Sequence, residues 1–139
     1  MTDSNWRTLP TGYFPHQLVE LPNPLEDAPE APERIEAIET RLMAGGDDNF
    51  VRRVDCGPAP RSAVLLAHDA DYVADLERAS AGDPKALERF DAPDTKVGPN
   101  TFACAMASAG AVVRAVDELF TRTVKNAFCA VRPPGHHAS

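Results

Sequence analysis

The sequence predicts an α/β fold with a mainly parallel sheet, and three observations point there. A long amphipathic pattern follows Gly98-Pro99-Asn100, and a short run, Asn126-Ala127-Phe128-Cys129-Ala130-Val131, is apolar on both alternating faces. Pro133-Pro134 then ends that run and opens a loop. Helix, doubly covered strand and loop are the units of α/β architecture, because a parallel strand buried on both faces needs apolar residues at every position. With 139 residues, 43% hydrophobic and 25% charged, the chain is long enough for one globular domain with a real core.

Residues 1–31 read as an irregular, proline-rich surface segment. Pro10, Pro15, Pro22, Pro24 and Pro29, with Pro32 opening the next segment, make six of the thirteen prolines, and each removes a backbone donor and blocks a long helix. Within it, Thr11-Gly12-Tyr13-Phe14 can form one short strand. Residues 32–139 form the α/β part. Pro32 at a first helical position, Glu33 in the first turn, Ile35, Ile38 and Leu42 on one face and Gly45-Gly46 as a stop predict a helix over 32–44. Ala63-Val64-Leu65-Leu66-Ala67 fits either a buried strand or a helical turn. Tyr72, Val73 and Leu76 line a second helix over about 70–80, closed by Gly82, and Asp83-Pro84 starts a third that runs to about Phe90. In the long helix Phe102, Met106, Ala109, Val113, Val116 and Phe120 form an apolar stripe, read as core packing. Arg114, Asp117, Glu118 and Arg122 mark its polar face. Its many small residues, Ala103 to Ala111, allow close approach to a neighbour.

Fourteen Lys and Arg against twenty-one Asp and Glu give a net charge of −7, which argues against a grip on nucleic-acid phosphates. No stretch reaches the roughly 20 apolar residues of a bilayer span, and the N-terminus lacks the pattern of a signal peptide, so a cytoplasmic location is expected. Cys56, Cys104 and Cys129 show neither a disulfide framework nor a CxxC knuckle and read as small buried apolar residues.

The chemistry concentrates in Arg132-Pro133-Pro134-Gly135-His136-His137. Ligands of open α/β sheets bind beyond the carboxyl ends of strands, which is where this loop falls. The diproline stiffens the backbone before the histidines, and Gly135 permits a turn or a close approach that a side chain would block. Two imidazoles, each titrating near neutral pH, can divide proton transfer between an attacking water and a leaving amine.

Residues Val131 to Ala138, with three further segments, resemble the histone deacetylase family, including bacterial members and acetylpolyamine amidohydrolases. Ala31-Pro32-Glu33-Arg34 is similar to the family's Pro-Glu-Arg segment, although Ala28-Pro29-Glu30 lacks the histidine often found before its first proline. Ala67-His68-Asp69 with Tyr72-Val73 and Leu76 is similar to a His-Asp…Tyr-Val…Leu segment, which favours the helical reading of 63–67. Asp94-Thr95 resembles the family's rim loop. The resemblance implies a partial three-layer αβα, arginase/deacetylase-like fold truncated after the tandem-histidine loop, the N-terminal portion of a single deacetylase domain.

It further implies zinc-dependent hydrolysis of an acetyl amide on a protein lysine, a polyamine or another small amine. His136 and His137 would be the catalytic pair, with His137 the general base and His136 assisting electrostatically. Asp94 would hold substrate amides at the pocket rim, Gly135 would border the substrate, and Arg34 would line an internal channel. His68 reads as a packed structural histidine. The family's zinc ligands, an Asp-x-His pair and a second Asp, and its Tyr that steadies the intermediate, lie downstream of the tandem histidines. No metal ligand is assigned in these 139 residues, since neither His16 nor His68 has supporting spacing. Alone, the chain is expected to be inactive. It would need a C-terminal half or an oligomer, or it would serve instead as a non-catalytic binding module.

Overall fold

The computed structural model describes residues 4–20, 30–90, 92 and 96–135. Three short strands, β1 (Thr11–Tyr13), β2 (Val51–Arg53) and β3 (Asn126–Phe128), form one parallel sheet in the order β2-β1-β3. Thr11 pairs with Val51 and Asn126, and Tyr13 with Arg53 and Phe128. The first strand in sequence is therefore the middle one in space.

The short strand expected at Thr11–Phe14 is present, but it lies at the centre of the sheet, which corrects the expectation that residues 1–31 are a surface segment. Tyr13 and Phe14 are the two largest fully buried side chains of the described chain. Alternation along the strand sends them to opposite faces. Tyr13 packs with Ile35 and Ala130, while Phe14 packs with Val54, Ala111, Ala115 and Val124. Neither Pro10 nor Pro15 falls inside the three-residue strand, so the proline-rich flanks do not interrupt its ladder.

Helix α1 (Glu33–Gly45) covers the Tyr13 face and lies one residue later at each end than predicted, with Pro32 as its N-cap. Gly46, with φ 72°, donates its N–H to the carbonyls of Leu42 and Met43, and this left-handed cap is what glycine allows. The ambiguous run resolves as helical: α2 (Arg61–Val64) is a single turn, followed by a turn that leaves Leu66 exposed. Helix α3 (Ala70–Ser80) matches the predicted bounds, and α4 (Pro84–Glu88) is slightly shorter than predicted. The Asp83 carboxylate caps α4 by accepting from the amides of Lys85 and Ala86, at 3.0 and 3.3 Å.

Helix α5 (Thr101–Phe120) lies on the Phe14 face and completes an α/β/α sandwich. Its orientation differs from the one the large apolar residues suggest. The buried face is Cys104, Ala107, Ser108, Ala111, Ala115 and Glu118, whereas Val116 and Phe120 are exposed. Close approach decides the matter. A Cβ at Gly110 would stand 2.0 Å from the Gly57 carbonyl oxygen, and Ala59 N–H donates to the Met106 carbonyl at 2.8 Å. Only the small-residue face lets the helix backbone touch another backbone. Glu118, expected on the polar face, is buried and paired with Arg114 at 2.6 Å, with Arg52 at 3.8 Å.

Strand β3 differs too. The ladder ends at Phe128 rather than Val131, and as a sheet edge it leaves Asn126 and Phe128 exposed instead of burying both faces. No apolar pattern marks strand β2, because Arg52 and Arg53 fill two of its three positions. The Arg53 guanidinium lies over the Tyr13 ring, 4.8 Å from its centre, and pairs with both Glu39 oxygens. Tyr13 Oη donates to the same carboxylate at 2.7 Å.

Candidate functional site

Parallel pairing gathers the carboxyl ends of β1 and β3 at one side of the sheet. Three residues past β1 stands His16, and four past β3 stands Arg132, both buried. His16 Nδ1 accepts from the Leu18 amide at 3.2 Å, so the ring's proton belongs on Nε2. That Nε2–H points at the Arg132 carbonyl, 2.9 Å away. The Arg132 amide also approaches Nε2, at 3.4 Å, but a nitrogen that carries a proton cannot accept from it. Burial holds the His16 pKa below its ordinary 6.5, with a smaller opposing effect from the Arg132 carbonyl, so the ring is neutral at pH 7.

Ser108, on the buried face of α5, donates to the same Arg132 carbonyl at 2.7 Å and stands 3.2 Å from His16 Nε2. One carbonyl with two lone pairs thus receives a donor from the β1 exit and another from α5. The Arg132 guanidinium turns the other way and engages Glu30 through two bonds, 2.9 and 3.2 Å long. Cys104 adds a weak bond to the Leu18 carbonyl at 3.6 Å, and burial pushes its thiol pKa up. The cysteines are free; Cys104 is buried, while Cys56 and Cys129 are half-buried against the Phe14 cluster.

Arg34, in the first turn of α1, donates to the Val131 carbonyl at 2.5 Å, one residue before Arg132. Gly135 takes φ 77°, in the left-handed region, and no described residue lies within 4 Å of where a Cβ would sit. The structure therefore brings Arg34 and Gly135 to the same loop. Asp94, His136 and His137 lie outside the described residues. His68 is remote in role: its ring stacks on Tyr72 at 5.3 Å, and Tyr72 meets Phe90 edge-on at 5.8 Å. Among the described residues no three His, Cys, Asp or Glu side chains gather as a metal ion would require. Sequence reasoning missed His16, Ser108 and Glu30 as a group. Their separations from Arg132, up to 116 residues, leave no local signal.

The profile described as "Histone deacetylase domain" matches residues 28–139. The chain belongs to the histone deacetylase family. Within that family it is 34% identical over 112 residues to human "Polyamine deacetylase HDAC10", covering 78% of this chain and 16% of that protein. It is 31% identical over 129 residues to "Histone deacetylase 8" of Arabidopsis thaliana, covering 92% of this chain and 32% of the relative. Identity to the "Histone deacetylase-like amidohydrolase" of Pseudomonas aeruginosa is 30% over 108 residues, 78% of this chain and 27% of the other. The crystal structure of the HDA15 HD domain superposes with a TM-score of 0.75 at 24% identity, covering 91% of this chain and 37% of that one. The likeness establishes a partial arginase/deacetylase-like α/β fold. The chain spans less than a fifth of the HDAC10 relatives it matches.

Proposed function

We propose that this chain supplies the proton-transfer part of a site that hydrolyses an acetyl amide on a lysine or a polyamine. The observation that carries this reading is the placement of Arg132–Gly135 beyond the carboxyl end of β3, followed in sequence by His136-His137, in a member of the histone deacetylase family. His137 takes a proton from the attacking water, and His136 steadies developing charge and assists the leaving amine. Gly135 leaves room for the substrate beside the loop, Asp94 accepts from substrate amides at the rim, and Arg34 borders a channel beside Val131.

Zinc is part of this proposal through the family. It would polarise the acetyl carbonyl and lower the pKa of a bound water. A catalytic zinc needs three protein ligands, and the described residues of this chain do not bring three together. The 139 residues alone are accordingly proposed to be inactive.

A chimaera in which residues 28–139 replace the matching segment of the HDA15 HD domain tests the reading. Chelator-sensitive release of acetate from an acetyl-lysine peptide is expected, and His137→Ala should lower kcat by about 100-fold or more. Full turnover by a folded His137→Ala chimaera would remove His137 from the base role.

A second reading, a non-catalytic binding module, draws on the exposed apolar residues Val112, Val116, Phe120 and Phe128. Sedimentation of the purified chain separates the two. A strictly monomeric species that binds nothing through this face counts against the module.

A further inference from the structure

We propose that His16 and Ser108 are positioning residues for the tandem-histidine loop, acting through the Arg132 carbonyl; the inference rests on the catalytic reading of that loop. Both donors converge on one buried oxygen, at 2.9 and 2.7 Å, and they come from segments more than 90 residues apart in sequence. His16 leaves the carboxyl end of the central strand, and Ser108 stands in the middle of α5. Each is itself held: the His16 ring by the Leu18 amide, and Ser108 by the close seating of α5 against residues 57–59.

Peptide planarity makes the consequence directional. The Arg132 carbonyl belongs to the peptide unit that joins Arg132 to Pro133, so fixing its oxygen fixes the plane from which Pro133 departs. The rings of Pro133 and Pro134 hold two successive φ angles, and the setting is carried as far as Gly135. The direction in which the chain enters His136-His137 is thereby set by two side chains that need not touch a substrate. The Glu30 pair performs a separate task, since it neutralises the guanidinium without contacting the carbonyl.

If the cluster served only to satisfy buried polar groups, removing one donor would lower stability and leave the two histidine rings unchanged. The deciding measurement is therefore the ring signals, not the melting temperature. The 139-residue chain labelled with 15N-histidine is titrated as the parent and as Ser108→Ala, His16→Phe and His16→Gln, with each ring assigned by substitution. Ser108→Ala and His16→Phe should move the titration midpoints of His136 and His137 by about 0.3 pH units or more, a twofold change in proton affinity. His68, stacked on Tyr72 in another part of the fold, should not move. His16→Gln retains an N–H donor and should restore the parent midpoints.

Unmoved His136 and His137 signals in folded Ser108→Ala overturn the proposal, as does an equal displacement of His68. Should His16→Phe fail to fold, Ser108→Ala and His16→Gln decide alone. The catalytic reading fails by a different observation, the absence of turnover in the chimaera, so the two failures are distinguishable.

Discussion

Replacing Glu30 by Gln keeps its shape and removes the charge that faces the Arg132 guanidinium, whose side chain is only 5% exposed. A largely buried cation that loses the charge of one carboxylate partner is destabilising, and a loss of about 1 kcal/mol or more is expected. It should appear as a lower urea midpoint at unchanged m-value. His16 sets a second dependence at this scale. Its folded-state pKa lies below 6.5, so between 6.5 and that lower value the unfolded chain binds more protons than the folded one. Stability is therefore complete above pH 6.5 and falls as the pH drops below it. Unfolding midpoints at pH 7.5 and 5.5 should differ more for the parent than for His16→Gln. Neither role is visible in the sequence. Arg132 stands out there only as the first residue of a motif, and Glu30 only as the neighbour of a proline. Their partnership exists because parallel strands bring distant residues to the same sheet end.

Helix α5 shows what periodicity reports and what it leaves open. The pattern correctly marks the helix, because both its large-residue stripe and its small-residue stripe repeat at spacings of three and four. Choosing the inward face required knowing the distance to the neighbour. At Gly110 that distance excludes any Cβ, so the small face wins over the greasier one. Gly110→Ala should destabilise by about 3 kcal/mol or more, since the obstruction is backbone and cannot swing aside; calorimetry at fixed pH measures it. Gly135 poses the contrary case. No described residue crowds it, and among the described residues its φ of 77° is what resists a side chain. Gly135→Ala should therefore cost about 1 kcal/mol in unfolding experiments, the penalty for a left-handed L-residue. Capping was the most legible layer: Pro32, Gly46 and Asp83-Pro84 behave as their residue types dictate, because cap chemistry is local.

At the scale of the molecule, three parallel strands between α1 and α5 make a sandwich whose sheet has two edges, β2 and β3. The fold class was legible from the helix-strand-loop order at the C-terminal end. Strand order was not, since nothing in Thr11–Tyr13 announces that it lies between residues 51–53 and 126–128. The Arg34–Val131 contact and the Gly135 turn place two of the sequence-derived candidates at one loop, whereas Asp94, His136 and His137 are tied to it by sequence and family alone.

The central position of β1 also sets the order of events as the chain leaves the ribosome. Thr11 emerges before its partner Asn126, which follows 115 residues later. At the usual pace of synthesis that interval lasts roughly ten seconds. Throughout it, Tyr13 and Phe14 have no completed sheet to enter. The two largest fully buried side chains thus enter a complete sheet only after β3 is made.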